Sequence, residues 1–255
     1  MIPYLDMQVR DDFLASLTAE GRIDDGVVLI DGTVVGNMTM SDSDLQRIRI
    51  GGDIHGNIHL DGISSLQAGI YASQGVLYGD LTIDRLGVGV ALKHVAEESA
   101  VTVTMDPAHG GRDGWVAGAT VFGRVSINSP EESRWVNTAY GVVGRTAEIE
   151  INGTVGEFNA AVLAGTVSVT GRTGRLNVGE FESGGYYETE HMGGARLSWG
   201  YSQMRTGHGG DGLRVWRNMD GAVVSRTGNA DYPNGLIYIW GGYGEFWSSG
   251  DTIHN

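Results

Sequence analysis

Gly32-Thr-Val-Val-Gly36-Asn-Met-Thr-Met40 is followed by Gly52-Asp-Ile-His-Gly56-Asn-Ile-His-Leu60, Gly75-Val-Leu-Tyr-Gly79-Asp-Leu-Thr-Ile83 and Ala119-Thr-Val-Phe-Gly123-Arg-Val-Ser-Ile127. The second half of this phrase, a small residue and then x-apolar-x-apolar, returns as Gly156-Glu-Phe-Asn-Ala160, Gly165-Thr-Val-Ser-Val169 and Gly174-Arg-Leu-Asn-Val178. Looser copies are Ser99-Ala-Val-Thr-Val103 and Ala147-Glu-Ile-Glu-Ile151. Apolar residues two apart fall on one face of a strand, and the polar residues between them on the other. A small residue before each strand allows a sharp corner, with positive φ open to glycine.

Successive corners lie 20 to 24 residues apart as far as Ala147, then nine apart. A strand and corner recurring at a fixed period is the pattern of a solenoid, in which each unit buries its apolar face only against the next. An all-β parallel β-solenoid (β-helix) over residues 26–179 is therefore expected. An antiparallel sandwich also alternates polar and apolar residues, but gives no reason for the same small residue at the same offset. Between Gly144 and Gly179 the nonapeptides predict paired units, two to a coil of about 18 residues, by the spacing of the repeat.

The two ends read differently. Leu5, Val9, Phe13 and Leu17 recur every four residues, which predicts a short amphipathic N-terminal helix within residues 1–25, a cap or an attachment segment. The polar stretches Ser41 to Gln46 and Met105 to Trp115 are expected as loops. Beyond Glu180 the composition shifts to a glycine- and aromatic-rich region, 180–255, read as a C-terminal β tip with its own packing. Its rings, Trp199, Tyr201, Trp216, Tyr238, Trp240, Tyr243 and Trp247, are the candidate ligand-binding residues, because flat aromatic surfaces stack on sugars and anchor protein interfaces.

The 255 residues carry a formal charge of −14, 42 glycines, four prolines and no cysteine. The charge argues against nucleic acid and anionic membrane as main partners. Absence of cysteine excludes disulfides and thiolate metal sites. The leading Met-Ile-Pro-Tyr-Leu-Asp has neither a basic nor an apolar run, so no signal peptide is expected, and no stretch has the length of a membrane span.

No catalytic residue is assigned, and an enzyme is the less expected reading. Were the chain a polysaccharide depolymerase, Glu180, Glu182, Glu188 and Glu190 at the junction would supply the acid and base. No metal or other cofactor is assigned. His55 and His59, with Asp53, share strand parity and are the nearest approach to a ligand set. Gly207-His-Gly-Gly-Asp211-Gly-Leu213 resembles one calcium-binding nonapeptide of the RTX type, with Thr206 where the leading glycine would be; a single copy reads as a glycine-rich turn.

The phrase Gly-Thr-Val-Val-Gly-Asn-Met-Thr-Met with its repeat Gly-Asp-Ile-His-Gly-Asn-Ile-His-Leu resembles the repeats of bactofilins, cytoskeletal β-helices of bacteria that polymerise end to end. Bactofilins have short tails, unlike this chain. The plan of N-terminal helix, β-helical shaft and aromatic tip is similar to bacteriophage tail spikes, tail fibres and head spikes. That resemblance implies a homo-oligomer, usually a trimer, held to other virion proteins by its N-terminus and meeting host-surface polysaccharide at its far end. It places the chain in the virion; the bactofilin resemblance places it in the bacterial cytoplasm.

Overall fold

The computed structural model describes residues 4–20, 23, 25–68, 75–107, 114–129, 136–182 and 185–192, together with the backbone of strands 212–215, 219–225, 236–239 and 243–248. Side chains within 64–68 and 190–192, and those of Tyr4, Arg172 and Phe181, lie outside the description.

The chain is an all-β parallel solenoid. Among the described residues every strand pairing is parallel, each strand lying on the one a coil earlier, and there is no helix. Three ladders run along it. The first joins Leu17–Ala19 to Met38–Met40 and continues by register through Ile58, Leu81, Val101, Val125, Ile149, Val167 and Tyr187. The second joins Tyr4–Val9, Asp25–Ile30 and Leu45–Ile50, then Leu66, Val90, Val116, Thr138, Phe158 and Leu176. A third, only two residues wide, carries Val34, Ile54, Leu77, Val95, Val121, Val143 and Leu163.

The inward residues of the three ladders make one core. Val28, Ile30, Val34, Met38, Ile48, Ile50, Leu60, Ile83, Val103, Ile127, Ile151, Phe158 and Leu176 are all buried. At roughly 1.5–3 kcal/mol for each such side chain, this column decides which face of each strand turns inward. A slip of one residue would turn every one of them out. Within it Tyr140, Phe158 and Tyr187 form an aromatic cluster, with centroids 5.6 and 5.1 Å apart, the first pair tilted at 50° and the second edge-on at 72°.

Coil length follows the repeat. Ile149 pairs with Val167 and Phe158 with Leu176, eighteen residues on in each case, so two nonapeptides do close one coil there.

The expected N-terminal helix is absent: Tyr4–Val9 is a strand paired with Asp25–Ile30, Phe13 bridges to Val34, and Leu17 pairs with Met38. Residues four apart share a face in a helix, but four is an even number and they share a face in a strand too. Met7, half-buried between exposed Asp6 and Gln8, decides for the strand. Residues 4–20 are thus the first coil, and its apolar residues Leu5, Met7, Val9, Phe13 and Leu17 pack on the core while staying partly exposed. The loop expected at Ser41 to Gln46 is instead a tight corner: Asp42 has φ 53° and the buried Ser43 hydroxyl donates to the Met40 carbonyl.

The ladders pass residue 180. Phe181 pairs with Met219, Val178 with Val215 and then Ile239, and Tyr187 with Val223 and then Phe246. The strands of the C-terminal region lie on the same three ladders as those before it.

Candidate functional site

The corner between the two-residue ladder and the first ladder is built from the repeated phrase and carries the most distinctive surface chemistry. Its small residue sits on the coil below. A Cβ on Gly56 would run into the Gly36 carbonyl, and one on Gly79 into the Gly56 carbonyl. Of these three corners only Gly36 has positive φ, at 133°. Close stacking of backbone, more than left-handed conformation, is what requires glycine here.

The residue after the corner ties the coils together. The Ser16 hydroxyl accepts from the Asn37 N–H, Asn37 Oδ1 from the Asn57 N–H at 2.9 Å, Asn57 Oδ1 from the Asp80 N–H at 3.0 Å, and Asp80 Oδ1 from the Ala100 N–H at 3.0 Å. A parallel set at the other end of the short strand uses Asp12 Oδ1 for the Thr33 N–H and Asp53 Oδ1 for the Val76 N–H. These acceptors satisfy corner N–H groups that the strand ladders leave over. Alternation in the sequence marks them only as outward polar residues; the recurrence of Asn or Asp straight after a corner glycine is the signal that could have found them.

The residue before the corner points outward and forms a column. Backbone bonds place Val35, His55, Tyr78, Ala96, Phe122 and Gly144 one above another, with Leu14 below Val35. Leu14, Val35, Tyr78 and Phe122 are the exposed large hydrophobic residues among those described. The His55 and Tyr78 rings stack, centroids 4.6 Å apart and planes 8° from parallel. The Phe122 ring lies across Gly144, where a Cβ would meet its Cδ1 and Cε1. This column is the fourth place of the nine-residue phrase, so its positions were legible, although its aromatic character was not singled out.

The candidate metal ligands are separated by the same corner. His55 precedes it, 3.9 Å from Asp53; His59 follows it on the first ladder, 3.0 Å from Asp84. Among the described residues no group of three His, Asp or Glu is placed to hold a metal ion.

The junction carboxylates are spread over different ladders. Glu180 pairs with Val162 on the two-residue ladder, and Glu182 lies just past it, 3.6 Å from Arg145. Glu188 is on the first ladder and accepts from the Tyr186 and Ser168 hydroxyls at 2.7 and 3.2 Å. The Glu190 side chain lies outside the described residues. So do Asp211, Trp199, Tyr201, Trp216 and Trp240, while Tyr238, Tyr243 and Trp247 stand on strands described by backbone alone.

A polar cluster that alternation did not mark lies on the second ladder. Glu157 Oε1 accepts from Asn177 Nδ2 at 2.6 Å and lies 3.6 Å from Arg175, whose side chain is only 13% exposed. Asn177 also donates to Asn159 Oδ1, Asn159 donates to the Thr138 carbonyl, and Asn137 Oδ1 accepts from the Glu157 N–H. The carboxylate is thus engaged by its own neighbours, a network suited to binding coils together.

Comparison with protein-family models, curated proteins and solved structures returns no match for this chain.

Proposed function

We propose that the chain is a virion structural protein, a spike or fibre, in which a solenoid shaft holds a host-binding end away from the particle. It is attached through its N-terminal coil, is a homo-oligomer, most simply a trimer, and contacts host-surface polysaccharide or protein through its C-terminal region. Trp199, Tyr201, Trp216, Tyr238, Trp240, Tyr243 and Trp247 are the binding residues of this proposal.

The observation that supports it is the unbroken set of parallel ladders from Tyr4 to Ser248. Each coil is fixed to the next by strand bonds, the coils up to Tyr187 also by the core column, and those between Asp12 and Ala100 by the Asn and Asp acceptors as well, which gives a stiff rod. A rod that places an aromatic-rich region at one end suits reach and contact better than chemistry. The test is affinity electrophoresis of the full chain through gels containing bacterial surface polysaccharides. Retardation by one polysaccharide, lost in Trp240→Ala with Trp247→Ala, is expected. Equal mobility in every gel would overturn the host-binding half of the proposal.

A second reading, a bactofilin-like polymer, is favoured by one observation: residues 4–20 form a coil, and among the described residues nothing pairs with its outer edge. An open strand edge is a template for another strand.

A further inference from the structure

All of the exposed large hydrophobic residues among those described stand in one column: Leu14 at 72%, Val35 at 43%, Tyr78 at 51% and Phe122 at 44% exposure. Backbone bonds align them on successive coils beside the corner. The residue before each buried one of the two-residue ladder also faces outward. Register stacks Val76, His94, Thr120, Val142 and Val162, each half-buried, as a second column next to the first. The two columns together are a narrow apolar strip running along the shaft.

Charge is kept to its margin. Between Thr33 and Val162 the one carboxylate in the strip is Asp53, whose Oδ1 is turned along the shaft to the Val76 N–H. The exposed charges Glu97, Glu98, Arg124 and Glu148 stand at the corner beside it. An apolar centre inside a charged rim is the anatomy of a protein interface. On a chain of charge −14, the strip is also where two copies can approach without setting most of their carboxylates face to face.

The shape of the strip decides what covers it. From Leu14 to Ala164 the first column crosses eight rungs. At about 4.8 Å per rung that is roughly 34 Å, and two columns of side chains make a width of about 15 Å. Each copy therefore offers roughly 500 Å², and a pair covered from end to end buries about 1,000 Å², the least that a specific interface needs. A partner touching two or three rungs falls far below that. One that covers all eight has to be straight and repeat at the rung spacing, and this chain is itself such a partner.

We propose that the strip of Leu14, Val35, Tyr78 and Phe122, flanked by Val142 and Val162, is the interface through which shafts of this chain pack lengthwise on one another. The inference rests on the homo-oligomer of the proposed function and names its contact surface. Attachment of every copy through the same end requires the shafts to run parallel, so each rung meets its own counterpart, Tyr78 against Tyr78 and Phe122 against Phe122. Aromatic rings are among the side chains favoured in such a contact.

The chain has no cysteine, so a single introduced thiol reports on one position. In the full chain, Val35→Cys and Tyr78→Cys should each be linked to a second copy by a short bismaleimide. Thr102→Cys, outward on the first ladder, should stay unlinked. Val35→Glu combined with Phe122→Glu places unpaired charge in the contact and should weaken self-association by roughly ten-fold or more, read as mass against concentration by light scattering. Thr102→Glu should leave the mass unchanged, and a cooperative unfolding transition in each variant will show that it still folds. A wild-type chain with the mass of one copy would remove the homo-oligomer and this interface with it. An oligomer that survives both glutamates, or that links through Thr102→Cys and not through Val35→Cys, would overturn the interface alone. Linkage of Val35→Cys to Val142→Cys chains but not to itself would reverse the direction of packing and overturn the parallel arrangement.

Discussion

The imidazole of His55 lies flat on the phenol of Tyr78, 4.6 Å between centroids, although the two residues are a whole coil apart in sequence. Both are exposed, so most of the contact remains wetted. A double-mutant cycle of His55→Ala and Tyr78→Ala should give a coupling of only about 0.5 kcal/mol, the low end for aromatic pairs. A coupling near zero would mean that the rings do not stack in solution.

The corner glycines should be far less tolerant than the rings above them. Gly56→Ala places its Cβ against the Gly36 carbonyl, which is backbone and cannot swing aside. A loss of about 1–3 kcal/mol in urea unfolding is expected, towards the upper end because the obstacle is backbone, in the range of overpacking with backbone shift. Gly118→Ala, whose nearest neighbour is the Val121 side chain at 3.2 Å, should cost less than about 1 kcal/mol. Similar losses at both positions would contradict coil-on-coil stacking at the corner.

Asn57 should matter through one oxygen. Its Oδ1 takes the Asp80 N–H and its own N–H is taken by Asn37. Asn57→Ala leaves the Asp80 donor without that acceptor and should cost about 1 kcal/mol, whereas Asn57→Asp keeps the oxygen and should cost less. The measurement is chemical denaturation of both variants.

The two buried tyrosines should respond in opposite directions to loss of the hydroxyl. Tyr140 Oη is buried without a partner among the described residues, while Tyr187 Oη is 2.8 Å from Thr173 Oγ1. Tyr140→Phe should be neutral or stabilising, and Tyr187→Phe should cost about 1 kcal/mol. Burial pushes the pKa of both phenols well above the usual range. Ionisation then favours the unfolded chain, so stability holds below the ordinary phenol value of about 10 and falls as pH rises through it. Tyr140→Phe should lessen that alkaline loss, as urea midpoints measured across the range would show.

The apolar pairs of the repeat were enough to read the core, because a period of two admits only one inward face. Eighteen-residue coils could likewise be read from the nonapeptides, since Phe158 and Leu176 recur at twice nine. The first coil was misread because Leu5, Val9, Phe13 and Leu17 keep an even spacing that helix and strand share. His55 and His59 share parity in sequence, yet a corner at Gly56 lies between them and sends them to different ladders. Parity carries through a strand and ends at a bend. The Tyr78 and Phe122 column was equally present in the repeat as its fourth place, but that His55 stacks on Tyr78 and Phe122 lies across Gly144 follows from which coil sits on which, and only the register reveals that.

The most direct test of the shaft account is negative-stain electron microscopy of the purified full chain, with its mass from light scattering. Discrete rods of one length, with the mass of a small whole number of chains and most simply three, are the predicted result. Filaments of indefinite length and mass would contradict the spike and leave the open edge of the first coil as a polymerisation surface.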